Sequence, residues 1–373
     1  MEERFKEVMT VISRITGVGQ EEIERCMKNP NYKVIEIPKK SGGVRILMVP
    51  EITLSIRKTG DTEPDYYHFY CSAERQISAM IARTSDIEEC VKSGIRVFQR
   101  QLLKEFLYKF KTSNYAHCSV PGRSVVTNVA PHKESKHFMK IDFKDAFPTV
   151  TSQMVADTIT SLTVNGPILP FVGRCDKGTA ESLGYLVSRL TTFRDQLPQG
   201  SPCSPYLMNL VCKPFDADMA KFAKEKGMIF TRYMDDNTLS SKHPISNDDV
   251  FSVIQIAAKH GFVVNARKTS MISIGPYFDP MITGIRIGND GMAVPRKTIE
   301  WYRTMIKRAT WDKEIDEGKV FGVLSWVLAI EGDIPKRMQK PLKEFLIARC
   351  PDKQKDYERF FKDIESEELD LIC

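Results

Sequence analysis

Apolar side chains recur at helical spacing at the start of the chain. Phe5, Val8, Met9, Ile12 and Ile15 share one face, and Gly17 ends the run. The pattern then changes period. Residues 37–45 read as two strand-like runs joined by a Gly42-Gly43 turn. Residues 138–147 form a strand-like run that carries one acid, Asp142, among apolar neighbours. Residues 196–205 read as a loop whose Ser201–Pro205 end has helix-start chemistry, and the helix is expected to continue through residues 206–211 to Phe215. Strand formers at 228–232 and 237–240 flank Tyr233-Met234-Asp235-Asp236, so the two carboxylates are expected at the tip of a hairpin.

Composition bounds the class. A chain of 373 residues exceeds one compact unit, so two or three lobes are expected. With 42% hydrophobic and 27% charged residues it reads as globular, with no apolar run near the roughly 18 residues of a membrane span and no secretory pattern. Nine cysteines without a Cys-x-x-Cys pair argue against zinc and against a disulfide framework, and fit a reducing cytoplasm. Net charge is +6, so nucleic-acid binding is expected to be local. Arg296, Lys297, Arg303, Lys307 and Arg308, interleaved with Trp301, Tyr302 and Trp311, suit a helix gripping a phosphate backbone. Asp363, Glu365, Glu367, Glu368 and Asp370 make the C-terminal end acidic.

The carboxylates carry the candidate chemistry. Adjacent Asp235 and Asp236 repel one another at a tight tip, and an Asp142 set in an apolar strand needs a compensating partner. Two Mg²⁺ ions about 4 Å apart, shared by all three, would satisfy both demands and clamp an in-line phosphoryl displacement. Bland alternatives are a solvated Asp-Asp turn, and an Asp142 paired with Lys140 or capping the next turn.

An Asp strand, a Pro-Gln-Gly turn opening a helix and a Tyr-x-Asp-Asp hairpin, in that order, resemble the palm of a reverse transcriptase. The resemblance spans residues 33 to 335. It implies that Asp142, Asp235 and Asp236 are catalytic metal ligands for two Mg²⁺ ions, with Mn²⁺ as a substitute. It further implies that Lys39 and Arg45 of the fingers hairpin, Lys144, Asp145, Phe147, Gln199, Gly200 and Lys268 border the incoming deoxynucleoside triphosphate. Phe147 matches a gate against the ribose 2′-hydroxyl, and Lys268, in a loop at 265–269, matches a proton donor to the leaving pyrophosphate. Tyr233 and Met234 match residues against the primer terminus, although a flexible apolar filler is the plainer reading of Met234. Residues 322–326, with Gly322 and Trp326, resemble the start of a thumb that packs on primer–template. Asn128-Val129-Ala130-Pro131-His132 and Ile282-Thr283-Gly284 are similar to two signatures of bacterial retron reverse transcriptases, each with one substitution. Asn128 and His132 are equally readable as a buried hydrogen-bonded pair.

The expected architecture is an α+β right-hand polymerase with fingers, a palm of antiparallel sheet flanked by helices, and a helical thumb. Its divisions are expected at 1–135 (N-terminal helices and fingers), 136–288 (palm), 289–345 (thumb) and 346–373 (acidic tail). The resemblance implies RNA-directed DNA synthesis on a structured noncoding RNA that supplies template and primer, in the bacterial cytoplasm, with a DNA product. It also implies a role in anti-phage defence with an effector protein, removal of RNA by a host RNase H, and no membrane. A defence-associated reverse transcriptase outside the retrons is the nearest alternative, and a catalytically silent RNA-binding scaffold is the alternative of another class.

Overall fold

The computed structural model describes residues 2–39, 42–70, 74–165, 175–276 and 278–349. The opening apolar stripe forms α1 (Glu2–Thr16), stopped by Gly17 at φ +68°, and α2 (Gln20–Lys28) follows. The fingers comprise β1 (Tyr32–Pro38), β2 (Val44–Lys58), β3 (Asp65–Tyr70), α3 (Glu74–Arg83) and β4 (Ile87–Ser93). β1 and β2 form the expected hairpin, with Pro38 opposite Val44 and a turn closed between Lys39 and Gly42. Lys40 and Ser41 of that turn lie outside the described residues. β2 is long enough to serve two partners. Its first half pairs with β1, exposed at Val44–Ile46 and buried from Met48 onward; its second half pairs with β3 and β4 over a small core of Ile52, Leu54, Ile56 and Ile77.

The palm is built from α4 (Ile95–Glu105), α5 (Val125–Val129), β5 (His137–Asp142), α6 (Ala146–Thr149), α7 (Ser152–Asn165), α8 (Lys177–Thr191), α9 (Ser204–Val211), α10 (Lys213–Glu225), β6 (Ile229–Tyr233), β7 (Asp236–Ser241), α11 (Asn247–Lys259) and β8 (Ser270–Ser273). Its sheet runs β6-β7-β5-β8, antiparallel throughout. Two expectations change in detail. The strand read at 138–147 stops at Asp142, because Asp145 takes a left-handed φ of +48° and opens α6. The single helix expected from 206 to Phe215 is two, parted at Cys212, since Pro214 has no N–H to continue a helix and sits in the first turn of α10.

Beyond the palm sheet, β9 (Met281–Ile282), β10 (Ile285–Gly288) and β11 (Gly291–Ala293) form a small sheet, and α12 (Arg296–Ala309), α13 (Glu317–Glu331) and α14 (Lys336–Arg349) follow. The cores pack across the expected boundaries. Val8, Met9, Ile12 and Ile23 of α1 and α2 share the main core with residues of the palm sheet. Ile282, Ile285 and Ile287 share a second core with Ile306, Val320, Val327 and Phe345, so a palm–thumb boundary at 288 cuts through packed residues. Leu346 packs on that core too, and α14 ends at Arg349. The acidic residues from 363 onward lie outside the described residues. No helix among the described residues is long and apolar enough to cross a membrane.

Candidate active site

The two-residue turn between β6 and β7 is Met234-Asp235, closed by the pairing of Tyr233 with Asp236. A two-residue hairpin needs a positive φ at its first centre, and Met234 supplies it at +63°, a conformation that disfavours any side chain by roughly 1–2 kcal/mol. Register does the rest. Asp142, the last residue of β5, stands directly opposite Asp236, the first of β7, so both side chains leave the same face beside Asp235. The Phe143 amide donates to the Asp235 carbonyl at 3.3 Å, and Asn237 Nδ2 donates to it at 3.0 Å.

Lys268 meets this cluster from the far side. The Asn265 amide donates to the Asp142 carbonyl at 2.8 Å, and the Lys268 and Thr269 amides donate back to the Asn265 carbonyl. That turn sets the Lys268 ammonium 2.9 Å from both oxygens of Asp142. The Lys140 alternative for Asp142 is therefore excluded; Lys140 donates instead to the Met281 carbonyl at 3.1 Å.

Like charges opposed in register have an electrostatic consequence. Burial, with Asp142 adding to it, raises the Asp235 carboxyl above its usual range. Burial, then Asp235, then Asp142 push Asp236 up to about 6, against the pull of Lys140 and Lys268. Hydrogen bonding to Asp142 raises Lys268 in turn. The cluster thus holds more negative charge than its surroundings neutralise. An all-carboxylate donor set of this kind suits a hard divalent cation. As arranged, no three acidic, His or Cys groups among the described residues close on one point, and the Lys268 ammonium lies 2.9 Å from Asp142. The oxygen-donor chemistry of the three carboxylates fits such an ion.

A cleft of ≈ 720 Å³ opens beside the cluster, floored by Asp142 and Asp235 and walled by the β1–β2 hairpin. Lys39, Arg45, Lys144, Asp145, Phe147, Gln199 and Lys268 all line it. Gly200 does not; it sits behind the wall, where its φ of +123° and the approach of the Met48 carbonyl at 3.2 Å to any Cβ admit little but glycine. Its carbonyl accepts from Arg96 at 3.0 Å, while the Gln199 carbonyl accepts from the Met48 amide at 2.9 Å. The second of these bonds moors the fingers strand β2 to the palm, and the first ties α4 to the same turn. A second cavity of ≈ 440 Å³ joins Arg45, Lys140, Lys268 and Asn237 around all three aspartates.

Other expected residues lie elsewhere. Met234 is 8% exposed and packs in the main core, so its side chain fills a gap, and Tyr233 beside it is half-buried. Gly322 faces solvent on α13, and Trp326 lies half-buried against the second core. Thr283 and Gly284 are the turn of the β9–β10 hairpin, with φ +47° and +87°. Two positive φ values explain the glycine, and they make Thr283 a costly choice for a β-branched residue. Asn128 and His132 do not bond one another through their side chains. His132 Nε2 lies 2.8 Å from the Thr231 hydroxyl, itself 3.2 Å from the Asn128 carbonyl, while Nδ1 lies 2.6 Å from the Ser240 hydroxyl. Burial pushes this imidazole down to about 3, so it is neutral and rivets β6 to β7.

Sequence reasoning weighed Lys140 only as a partner for Asp142, and passed over Asn237 and Arg232. Lys140 was legible, since residues two apart on a strand share a face with Asp142. Arg232 was legible too, as the one charge in an otherwise apolar strand demands a buried partner.

The fold is that of an α+β polymerase. The chain belongs to the reverse transcriptase (RNA-dependent DNA polymerase) family, whose model matches residues 56–316. Within that family it is similar to the retron Ec86 reverse transcriptase of Escherichia coli, 27% identical over 65% of this chain and 71% of the relative. It is also similar to the retron Mx65 reverse transcriptase of Myxococcus xanthus, 25% identical over 84% of this chain and 64% of the relative. The retron Mx162 reverse transcriptase of the same organism is 28% identical over 61% and 50%. The chain thus spans less than two thirds of two of these three relatives. These likenesses agree with the retron-type resemblance. Among solved structures, telomerase from Candida albicans in complex with a TWJ fragment of telomeric RNA has a TM-score of 0.47 and 14% identity over 92% of this chain and 59% of that one.

Proposed function

We propose that this protein synthesises DNA on a structured noncoding RNA, with Asp142, Asp235 and Asp236 holding two Mg²⁺ ions. One observation carries the reading: Asp142 and Asp236 are paired in register beside Asp235, under a cleft walled by Lys39, Arg45 and Lys268. When bound, Mg²⁺ supplies Lewis acidity toward the reacting phosphate and toward the primer 3′-hydroxyl. The chain's own residues position and neutralise. Arg45 and Lys39, reaching from the hairpin, bind the triphosphate as charge partners. Lys144 and Asp145 present main chain at the start of α6, and Phe147 beside them excludes a ribose 2′-hydroxyl. Lys268 leaves Asp142 for the departing pyrophosphate and donates a proton there. Trp301, 61% exposed, and the basic residues of α12 support a grip on the nucleic-acid backbone.

The similarity to retron reverse transcriptases supports a retron-type reading; within that reading we propose a folded RNA template, a DNA product joined to it, and service in defence beside an effector protein, with RNase H trimming the RNA. Primer extension with Asp235→Asn tests the catalytic reading: incorporation is lost while RNA affinity is retained, and near-normal synthesis by the variant rules the assignment out. Sequencing DNA that co-purifies with the protein tests the template. A branched RNA–DNA hybrid from one locus supports the retron reading, and homopolymer or repetitive product refutes it.

A further inference from the structure

Arg232 is the largest fully buried side chain among the described residues, and it is charged. Its guanidinium is divided between three partners. Nε and Nη2 donate to the two carboxylate oxygens of Asp216 at 2.7 and 2.8 Å, and Nη1 donates to Asn209 Oδ1 and to the Met234 carbonyl, both at 3.0 Å. Asp216 and Asn209 are themselves 0% exposed, and Asn209 Nδ2 is anchored on the Cys118 carbonyl at 2.7 Å. The Arg232 main chain is held as firmly: its amide donates to the Tyr115 carbonyl at 2.7 Å, and its carbonyl accepts from the His117 amide at 2.8 Å.

We propose that Arg232 is a positioning residue for the carboxylate hairpin, with Asp216 and Asn209 fixing its orientation. A buried ion pair is a poor device for stability, since an apolar pair of similar volume often does as well or better. What an apolar pair cannot supply is a planar fork that grips a carboxylate and a main-chain carbonyl at once. That carbonyl belongs to Met234, the residue held at φ +63°. The next carbonyl along, Asp235, is held by Asn237, which stands opposite Arg232 in the β6–β7 pair, and by the Phe143 amide of the neighbouring strand. Consecutive peptide units at the tip are therefore each pinned, and the pinning aims Asp235 and Asp236. The inference rests on the proposed role of those two carboxylates.

Two variants test it. Arg232→Lys keeps the charge beside Asp216, but one ammonium cannot span all three partners. The double variant Arg232→Met with Asp216→Leu removes both buried charges at similar volume. For each, primer extension is expected to lose at least about tenfold in kcat, roughly 1.4 kcal/mol, with deoxynucleotide KM and RNA affinity within about twofold. Amide hydrogen exchange at residues 234–236 is expected to quicken while the interior of β5 and the unfolding midpoint hold. Either variant folding with wild-type kcat and unchanged exchange at the tip overturns the proposal. So does loosening spread evenly through the palm, or failure of both variants to fold, because the network then serves the core alone. An active Asp235→Asn enzyme would sink the catalytic reading instead, and would leave the exchange result standing.

Discussion

Replacing Asp236 with Asn is expected to abolish synthesis and, in the absence of divalent cation, to make the protein more stable. Asp236 faces Asp142 in register and adjoins Asp235, and its carboxyl is raised from the usual 3.8 to about 6. The whole shift corresponds to about 3 kcal/mol. Asp236 is open to the cleft, so solvent screening reduces the expected figure to about 1 kcal/mol. The folded-state value lies above the unfolded one. Its contribution is therefore present below the unfolded value and lost as pH rises through 6. At pH 7.5 the wild type bears the cost of a partly buried charge repelled by Asp235 and Asp142, and the Asn variant does not; near pH 4 the difference vanishes. For a lobe of this size, about 1 kcal/mol is a rise of roughly 2–4 °C in midpoint. Thermal unfolding in chelator at the two pH values measures this directly. Added Mg²⁺ reverses the order, because ligand binding stabilises only the chain that can bind it. A variant that unfolds below the wild type at pH 7.5 in chelator would show that neither burial nor the neighbouring carboxylates burden the Asp236 charge, and the cation argument would lose its electrostatic basis.

Three further outcomes are expected. Phe147→Ala, at the cleft wall, should lower discrimination against ribonucleotides by at least about tenfold, equal to roughly 1.4 kcal/mol, measured as the ratio of kcat/KM for the two sugars. His132→Gln should flatten the acid side of the stability profile: the wild-type imidazole, held at about 3, costs the fold about 1.4 kcal/mol for each pH unit below 6.5, and urea unfolding from pH 7 to 4.5 reads the slope. Gly184→Ala should destabilise by about 1–3 kcal/mol in urea unfolding, since its Cβ would stand 2.4 Å from the Ala156 carbonyl of α7 and force two helices apart.

Much of the site was legible in the residues alone because its parts are local. The hairpin at 229–241 followed from strand formers on either side of four turn residues. The α1 stripe and its stop at Gly17 followed from helical spacing. The fingers turn followed from two glycines, both at positive φ in the structure. The boundaries were less legible. Apolar spacing shows that a face is buried but does not name what covers it, and only packing put α1 and α2 on the palm and 281–287 with the thumb.

Residue types and local periods set the elements of this protein and brought three acids to strand ends. The tertiary structure alone decided which charges they meet. Lys268 reaches Asp142 across 126 positions of chain, and His132 bridges Thr231 and Ser240 across 99 and 108. Arg232 finds Asp216 and the Met234 carbonyl only because α10 packs behind β6. A hydrogen bond acts over about 3 Å and is blind to separation along the chain, so no local pattern encodes its partner.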